Sequence, residues 1–376
     1  MRRGIAKMIV LRLDSEHRNL GDKAINALQI IVLRKVSDKH KTKLTLIVPG
    51  LHKHAIIAGL EALPDITDVF QTFKVPKNKI FRDLAYIAFI IIYITMSLLP
   101  SSIIRYISEA SDNMLGTLSK IILTLRNTRL LVISGGGFIQ DKWYKSTMVP
   151  IILFSLIAKL YRTRCIILPQ TIGPFTRPLG IVLMKIILRL VDIIYCRDYY
   201  NYVYVSKLFK LTREVKARIR WFKDVGFLAY YRYLVKDLRY VRREKLCIHV
   251  REWPPCTQET LLGLLMSEAL KFKGEIMVIV MEPSELTVAN KLVRSLLERF
   301  IKATLYEPRS YLDVLRELYT NCAEVIGISY HLLLASASLG IPAIAIYPDD
   351  YYALKLKGLK LINPNLKFVE CVEYGT

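Results

Sequence analysis

Short runs of β-branched and aliphatic residues alternate with stretches of helical period along most of the chain. Strand-like runs fall at Lys7–Leu13, Lys43–Val48, Arg129–Ser134, Arg164–Leu168, Asp192–Cys196 and Arg218–Phe222. A second series follows at Lys245–Val250, Glu275–Val280, Ala303–Leu305, Glu324–Ile328 and Ala343–Ile346. Runs this continuous in Ile, Val and Leu mark parallel strands covered on both faces. Between them, Leu179–Leu190 reads as a buried apolar helix, Ser284–Phe300 as an amphipathic helix capped by Ser284, and Tyr311–Tyr319 as a third helix. Strand–helix–strand alternation of this length predicts an α/β protein with two Rossmann-like, doubly wound domains facing a cleft. The predicted divisions are 1–225, a Tyr- and Arg-rich linker at 226–243, and 244–376.

One apolar segment stands outside the alternation. Leu84 to Ile104 carries no formal charge over 21 residues, with Pro100 near its end. Lys74, Lys77, Lys79 and Arg82 precede it and Arg105 follows. A helix from Leu84 to Leu99 is about 24 Å long, short of the roughly 20 apolar residues of a full span. Three readings stay open: a buried core helix, an interfacial helix with its basic flank on anionic head groups, or a bilayer span. A span would divide a continuous α/β pattern.

Composition narrows the chemistry. Lys and Arg outnumber acids 55 to 32, for a net charge of +23 in 376 residues, and 53% of the chain is apolar. That excess favours polyanions: phosphorylated metabolites, anionic lipid or nucleic acid. The basic residues are spread along the chain with no nucleic-acid reading motif, so nucleic acid is not expected as a partner. None of the six cysteines forms a C-x-x-C pair, so neither a zinc site nor a disulfide framework is expected, and buried reduced thiols are. No apolar run long enough for a signal peptide precedes Asp14. The expected location is cytoplasmic; on the interfacial reading, 84–104 would bring the protein to the inner face of the cell membrane.

Chemistry in such folds gathers just after the strands. Asn19-Leu20-Gly21-Asp22 is expected to open a helix whose backbone N–H groups face the cleft, or to be a plain turn with a cap. Gly135, Gly136 and Gly137 follow the third run; they suit a phosphate-cradling nest or a tight turn. Gln170 lies in a Pro/Gly-punctuated turn and either binds ligand or ties the loop. Arg197 is placed to clamp a carboxylate or phosphate, with Asp198 behind it as cap or orienting partner. His249 and Arg251 share one face, Arg251 at the strand end. Ser329 can cap the helix in whose first turn His331 sits, and histidine suits acid–base work near neutral pH.

Taken in order, these segments resemble the polysaccharide pyruvyl transferase family. The resemblance runs over about residues 8–350: Asn19 to Asp22, Ser134 to Asp141, Pro169 to Pro174, Arg197-Asp198, Asp224, Arg251, and His331 with Gly340-Ile341-Pro342. It implies a GT-B-like fold and transfer of pyruvate from phosphoenolpyruvate onto a saccharide as a ketal, without metal or other cofactor. Acceptors of the family are cell-surface glycans or lipid-linked precursors. It also implies His331 as general acid/base, and Arg197, Arg251 and the N–H groups of Gly135–Gly137 on the donor anion. Asn19, Gly21, Asp22, Gln170, Asp198 and Asp224 would then bind the substrate. Two positions depart from the family pattern: Ser329 stands where Arg is usual, and Tyr351 where many members have Lys. Lys223, Lys355 and Lys357 are the nearest substitutes. Rival readings are a sugar-nucleotide glycosyltransferase on the same fold, with Glu282 reading a ribose or sugar, and a non-catalytic glycan binder.

Overall fold

The computed structural model describes residues 8–13, 19–49, 51, 55–57, 59–71, 78–111, 113–209, 218–222, 234, 244–251 and 256–371. Lys223, Asp224 and nearly all of 226–243 lie outside the described residues. The chain forms two compact units, and the division is not linear. Residues 19–28 and 197–204 pack with the C-terminal unit, which otherwise begins at Phe222.

The first unit is built on a sheet in the order β3-β4-β2-β1-β5-β7-β8-β9, with β6 also on β7. Its strands are β1 Met8–Arg12, β2 Lys43–Val48, β3 Ala55–Ile57, β4 Leu60–Pro64, β5 Thr128–Ile133, β6 Gly136–Ile139, β7 Arg164–Ile172, β8 Ile193–Cys196 and β9 Ile219–Trp221. All pairings are parallel except the short β3–β4 pair. The helices met along this part of the chain are α1 Leu20–Lys39, α2 Ile66–Gln71, α3 Lys79–Leu98, α4 Ser101–Ala110, α5 Met114–Arg126, α6 Val149–Leu160, α7 Pro178–Leu190 and α8 Tyr199–Leu208. Ile9, Leu11, Leu44, Leu46 and Val132 pack with Leu33 of α1 in one core cluster, the burial that near-continuous aliphatic strands predict. A buried ion pair, Arg12 Nε to Asp65 Oδ2 at 2.7 Å, joins the end of β1 to the loop after β4.

The second unit has a six-stranded, wholly parallel sheet in the order β12-β11-β10-β13-β14-β15. These strands are β10 Lys245–His249, β11 Ile276–Ile279, β12 Ala303–Tyr306, β13 Cys322–Gly327, β14 Ala343–Tyr347 and β15 Leu366–Glu370. The intervening helices are α9 Gln258–Ala269, α10 Leu286–Leu297, α11 Tyr311–Asn321, α12 Tyr330–Ser338 and α13 Asp350–Lys357.

Three expectations need correction. First, α7 is not buried all round: Met184, Ile187 and Leu188 face the core, but Leu179 and Val182 are about half exposed. Its apolar sequence hides a two-sided helix. Second, Ser284 does not cap α10. A 3-10 turn, Pro283–Glu285, precedes the helix and is closed by a capping box between Glu282 and Glu285. Third, four cysteines are paired. Cys247–Cys322 bridges adjacent strands β10 and β13, and Cys256–Cys371 joins the segment before α9 to the end of β15, with Cα separations of 5.8 and 5.5 Å. The sheet order brings together thiols that are 75 and 115 residues apart, a proximity that no short motif records. Cys165 and Cys196 are outside the disulfides and buried, and burial pushes the Cys165 thiol up to about 12.

Candidate functional site

Seven of the expected site residues, Asn19, Gly21, Asp22, Arg197, Asp198, Arg251 and His331, fall in the second unit. β13 ends at Gly327, and Ser329 occupies the N-cap position of α12 without a side-chain cap bond. His331, in the first turn, is buried. The Tyr311 hydroxyl donates to the His331 carbonyl at 2.8 Å, and its ring meets the imidazole edge-on. The other end of this contact comes from α1. Asn19 Oδ1 accepts the Gly21 N–H at 2.9 Å, and Leu20 N–H donates to Met281 O just beyond β11 at 3.2 Å. The first turn of α1 is thereby fixed, and Asp22 Oδ1 sits 3.6 Å from His331 Nε2. Gly21 faces the imidazole so closely that a Cβ there would overlap the ring. Glycine is needed at this position for space, not for a special backbone angle.

Next to His331, the Tyr330 ring carries two cations. Arg197 Cζ lies 4.4 Å from its centroid and Lys355 Nζ 4.8 Å. Tyr330 and His331 are themselves 5.4 Å apart, edge to face, so guanidinium and imidazole are one aromatic ring apart. Arg197 is almost fully buried. Asp198 Oδ1 accepts the Asn201 N–H at 2.8 Å and so caps α8, while its carboxylate fills the space a Cβ on Gly358 would need. Tyr351 occupies the position where the family pattern suggests Lys. Lys355 is one turn later on α13, on the same face, and its ammonium is 5.5 Å from the Tyr351 ring.

Arg251 is placed differently. Its Nε is 3.1 Å from Glu285 Oε1, and its Nη2 contacts the Glu282 carboxylate. Glu285 Oε2 accepts the N–H groups of Met281 and Glu282 at 2.8 and 3.0 Å and lies 3.2 Å from His249 Nε2. His249 Nδ1 accepts the Ser329 N–H at 3.3 Å, which puts the ring proton on Nε2, facing the carboxylate. Burial alone would raise the Glu285 carboxyl, but His249 and Arg251 outweigh it and hold the group below its ordinary range. Burial pushes Tyr352 up to about 12 against the pull of Arg251. Arg251 is thus already paired with two carboxylates.

The remaining residues belong to the first unit. Gly136 and Gly137 are part of β6, with Gly136 in register with Gln170 of β7. A Cβ on Gly135 would lie 2.5 Å from Pro169 O, so backbone approach explains this glycine. Gln170 Nε2 donates to Ser134 O at 2.7 Å and ties the two strand ends together. Asp141 Oδ2 accepts the N–H groups of Thr176 and Arg177, both at 2.7 Å. Asp224 lies outside the described residues. Sequence reasoning did not single out Tyr330 or Glu285; the signal for Tyr330 was its place between Ser329 and His331.

The sequence model of the polysaccharide pyruvyl transferase family matches residues 67–350, well over half of the chain. The chain belongs to that family. Membership makes it a polysaccharide-modifying transferase, with a saccharide as acceptor. No curated protein sequence matches it. Solved structures supply the fold. The UDP-GlcNAc 2-epimerase from Methanocaldococcus jannaschii has a TM-score of 0.54 at 9% identity, covering 97% of this chain and 89% of its own. MurG from Acinetobacter baumannii scores 0.51 at 9% identity, covering 97% and 86%. The UDP-GlcNAc 2-epimerase from Neisseria meningitidis bound to UDP-GlcNAc scores 0.51 at 11% identity, covering 97% and 88%. The family member therefore has the GT-B fold, and likeness at this identity says nothing of its ligand.

Proposed function

We propose that the protein transfers the pyruvyl group of phosphoenolpyruvate to two hydroxyls of a saccharide, forming a ketal and releasing phosphate. The observation that carries this reading is His331, which faces the Asp22 carboxylate while Arg197 and Lys355 lie on the neighbouring Tyr330 ring. As general acid, His331 can deliver a proton to the terminal enol carbon, with Asp22 placed to orient its ring. One hydroxyl oxygen bonds to the carbon that carries the phosphate; the second then displaces phosphate. Of the two hydroxyl protons, one restores His331 and the other leaves with phosphate. Arg197 and Lys355 neutralise the donor's carboxylate and phosphate. Lys355 makes good the lysine absent at 351, because positions 351 and 355 present the same helix face.

The acceptor is a cell-surface glycan or its lipid-linked precursor, and no cofactor takes part beyond the donor itself. Thermal-shift titration with phosphoenolpyruvate and with UDP-GlcNAc tests the donor, since the ligand that binds the folded state raises its melting temperature. A shift with the nucleotide sugar alone favours a glycosyltransferase. A glycan-induced shift without turnover of either donor favours a binding protein. Removing a general acid/base costs about 10²–10⁴-fold in rate. His331→Ala with unchanged phosphate release removes His331 from the mechanism.

A further inference from the structure

The long apolar helix α3 is not a core helix. Its buried side is narrow: Phe89, Tyr93, Met96 and Ser97 are buried, and the Phe70 ring meets those of Tyr86 and Phe89 at 4.9 and 5.4 Å. The Tyr86 hydroxyl donates to Lys145 O at 2.9 Å, and Arg126 Nη2 donates to Ser97 O at 2.8 Å. These contacts fasten one face along the helix to the first unit. The opposite face is open. Ile80, Leu84, Ile87, Ile91 and Leu98 are 69, 57, 54, 58 and 66% exposed, and their spacing places them on one stripe. Only 22% of the stretch Ile80–Leu98 is buried. After Pro100, α4 exposes Ile103 and Tyr106 in the same manner. A row of large aliphatic side chains this long is more than the scattered exposure of an ordinary surface.

We infer that the exposed stripe of α3 docks on the surface of an anionic lipid bilayer, with the helix axis parallel to the membrane plane. Spanning would tear the Phe89–Ser97 face from its packing, whereas lying flat keeps it and buries only the open stripe. Charge selects a lipid surface over a second copy of the chain. Arg82 and Arg105 are exposed at the two ends of the apolar stretch. Asp83 is engaged by Lys145 at 2.5 Å, and Glu109 is the exposed acid at the far end of α4. With a net charge of +23, copies repel one another while an anionic surface attracts. Binding of this kind does not depend on the chemistry proposed above and holds whichever donor is used.

The test is co-sedimentation of the full chain with vesicles of phosphatidylcholine alone and of phosphatidylcholine mixed with phosphatidylglycerol. Light scattering without lipid reports oligomeric state. The expected result is binding to the mixed vesicles that weakens with salt. Ile87→Glu/Ile91→Glu should lose it by at least about tenfold. Arg82→Glu/Arg105→Glu should reduce the preference for anionic vesicles by about tenfold or more. Both pairs are exposed, so each variant should keep its melting temperature. No binding to either vesicle overturns the inference, as does equal binding by wild type and Ile87→Glu/Ile91→Glu. A wild-type dimer that this variant converts to monomer also overturns it, in favour of a second copy on the stripe.

Discussion

Replacing Gly21 by Ala tests the proposed site through space alone. The new methyl group carries no charge and removes no hydrogen bond. It would meet His331 Cβ at 2.5 Å, and contacts under 3.0 Å are not tolerated by real Cβ atoms, so the imidazole must move. The first turn of α1 cannot yield easily, because Leu20 N–H is bound to Met281 O and Gly21 N–H to Asn19 Oδ1. The ring therefore shifts by about 1 Å, a displacement that can cost about 10²-fold in rate, or about 2.7 kcal/mol of barrier. Helix propensity favours Ala over Gly by about 1 kcal/mol and offsets part of the roughly 1–3 kcal/mol cost of overpacking against the buried His331, so a modest loss of stability is expected. The assay is phosphate release from phosphoenolpyruvate across a panel of saccharide acceptors, with kcat and KM separated and melting temperature followed. The expected outcome is a hundredfold lower kcat in a protein that still folds, with a small drop in melting temperature. His331→Ala combined with Gly21→Ala should be no slower than His331→Ala alone, because both act through one side chain. Wild-type kcat in a folded Gly21→Ala protein, or a double variant much slower than either single one, would refute the argument.

Lys355→Ala should raise KM for phosphoenolpyruvate by about ten- to a hundredfold, the worth of one charge-assisted hydrogen bond, and Tyr351→Lys in that background should recover part of it. Steady-state kinetics on the three proteins decides this, and an unchanged KM removes Lys355 from the donor site. Glu285→Gln should destabilise the protein by about 3–5 kcal/mol at neutral pH, because it strips a buried partner from Arg251 and His249. The depressed Glu285 carboxyl contributes stability that is complete above its unfolded value of about 4.3 and is lost as pH falls through the lower folded value; the variant should lack this part of the acid limb in pH-dependent denaturation. Thiol titration of the denatured, unreduced chain should find the two cysteines 165 and 196, and six after reduction; six before reduction would disprove both disulfides.

Much of the sheet framework is legible in the sequence because parallel strands covered on both faces must be aliphatic almost throughout. All eleven runs become strands, within a few residues, including Cys322–Gly327 and Ala343–Tyr347 on either side of His331. The strands that escape notice are β3, β4, β6 and β15. β6 is Gly136–Ile139, whose glycines read as a loop until Gly136 is found in register with Gln170. The site divides in the same way. Asn19, Gly21, Asp22, Arg197 and His331 are visible because each follows a strand or opens a helix. The roles of Tyr330, Lys355 and Glu285 depend on which side chains face one another across elements far apart in the chain. The disulfides and the open stripe of α3 escape for the same reason: pattern gives the period of a face, and only packing says what covers it.

Charge placement explains why the arginines of the second unit cannot be equivalent. Arg251 and Arg197 look alike in sequence, each at or just after a strand end. Arg251 is held between Glu282 and Glu285, and Glu285 is itself fixed by two backbone N–H groups and faced by His249. A phosphate dianion brought there would have to overcome repulsion from both carboxylates, and each broken charge-assisted bond costs about 1.5–3 kcal/mol. Arg251 is better suited to bracing the segment around Glu282 against the end of β10. Arg197 and Lys355 instead approach one aromatic ring beside His331. Two cations gathered on one ring repel each other, and an anion bound near them relieves that repulsion as well as adding its own attraction. The same arrangement accommodates Ser329 and Tyr351 in place of the basic residues of the family pattern: positive charge is supplied from α13 and from the residue after β8, while the helix start beside His331 stays uncharged.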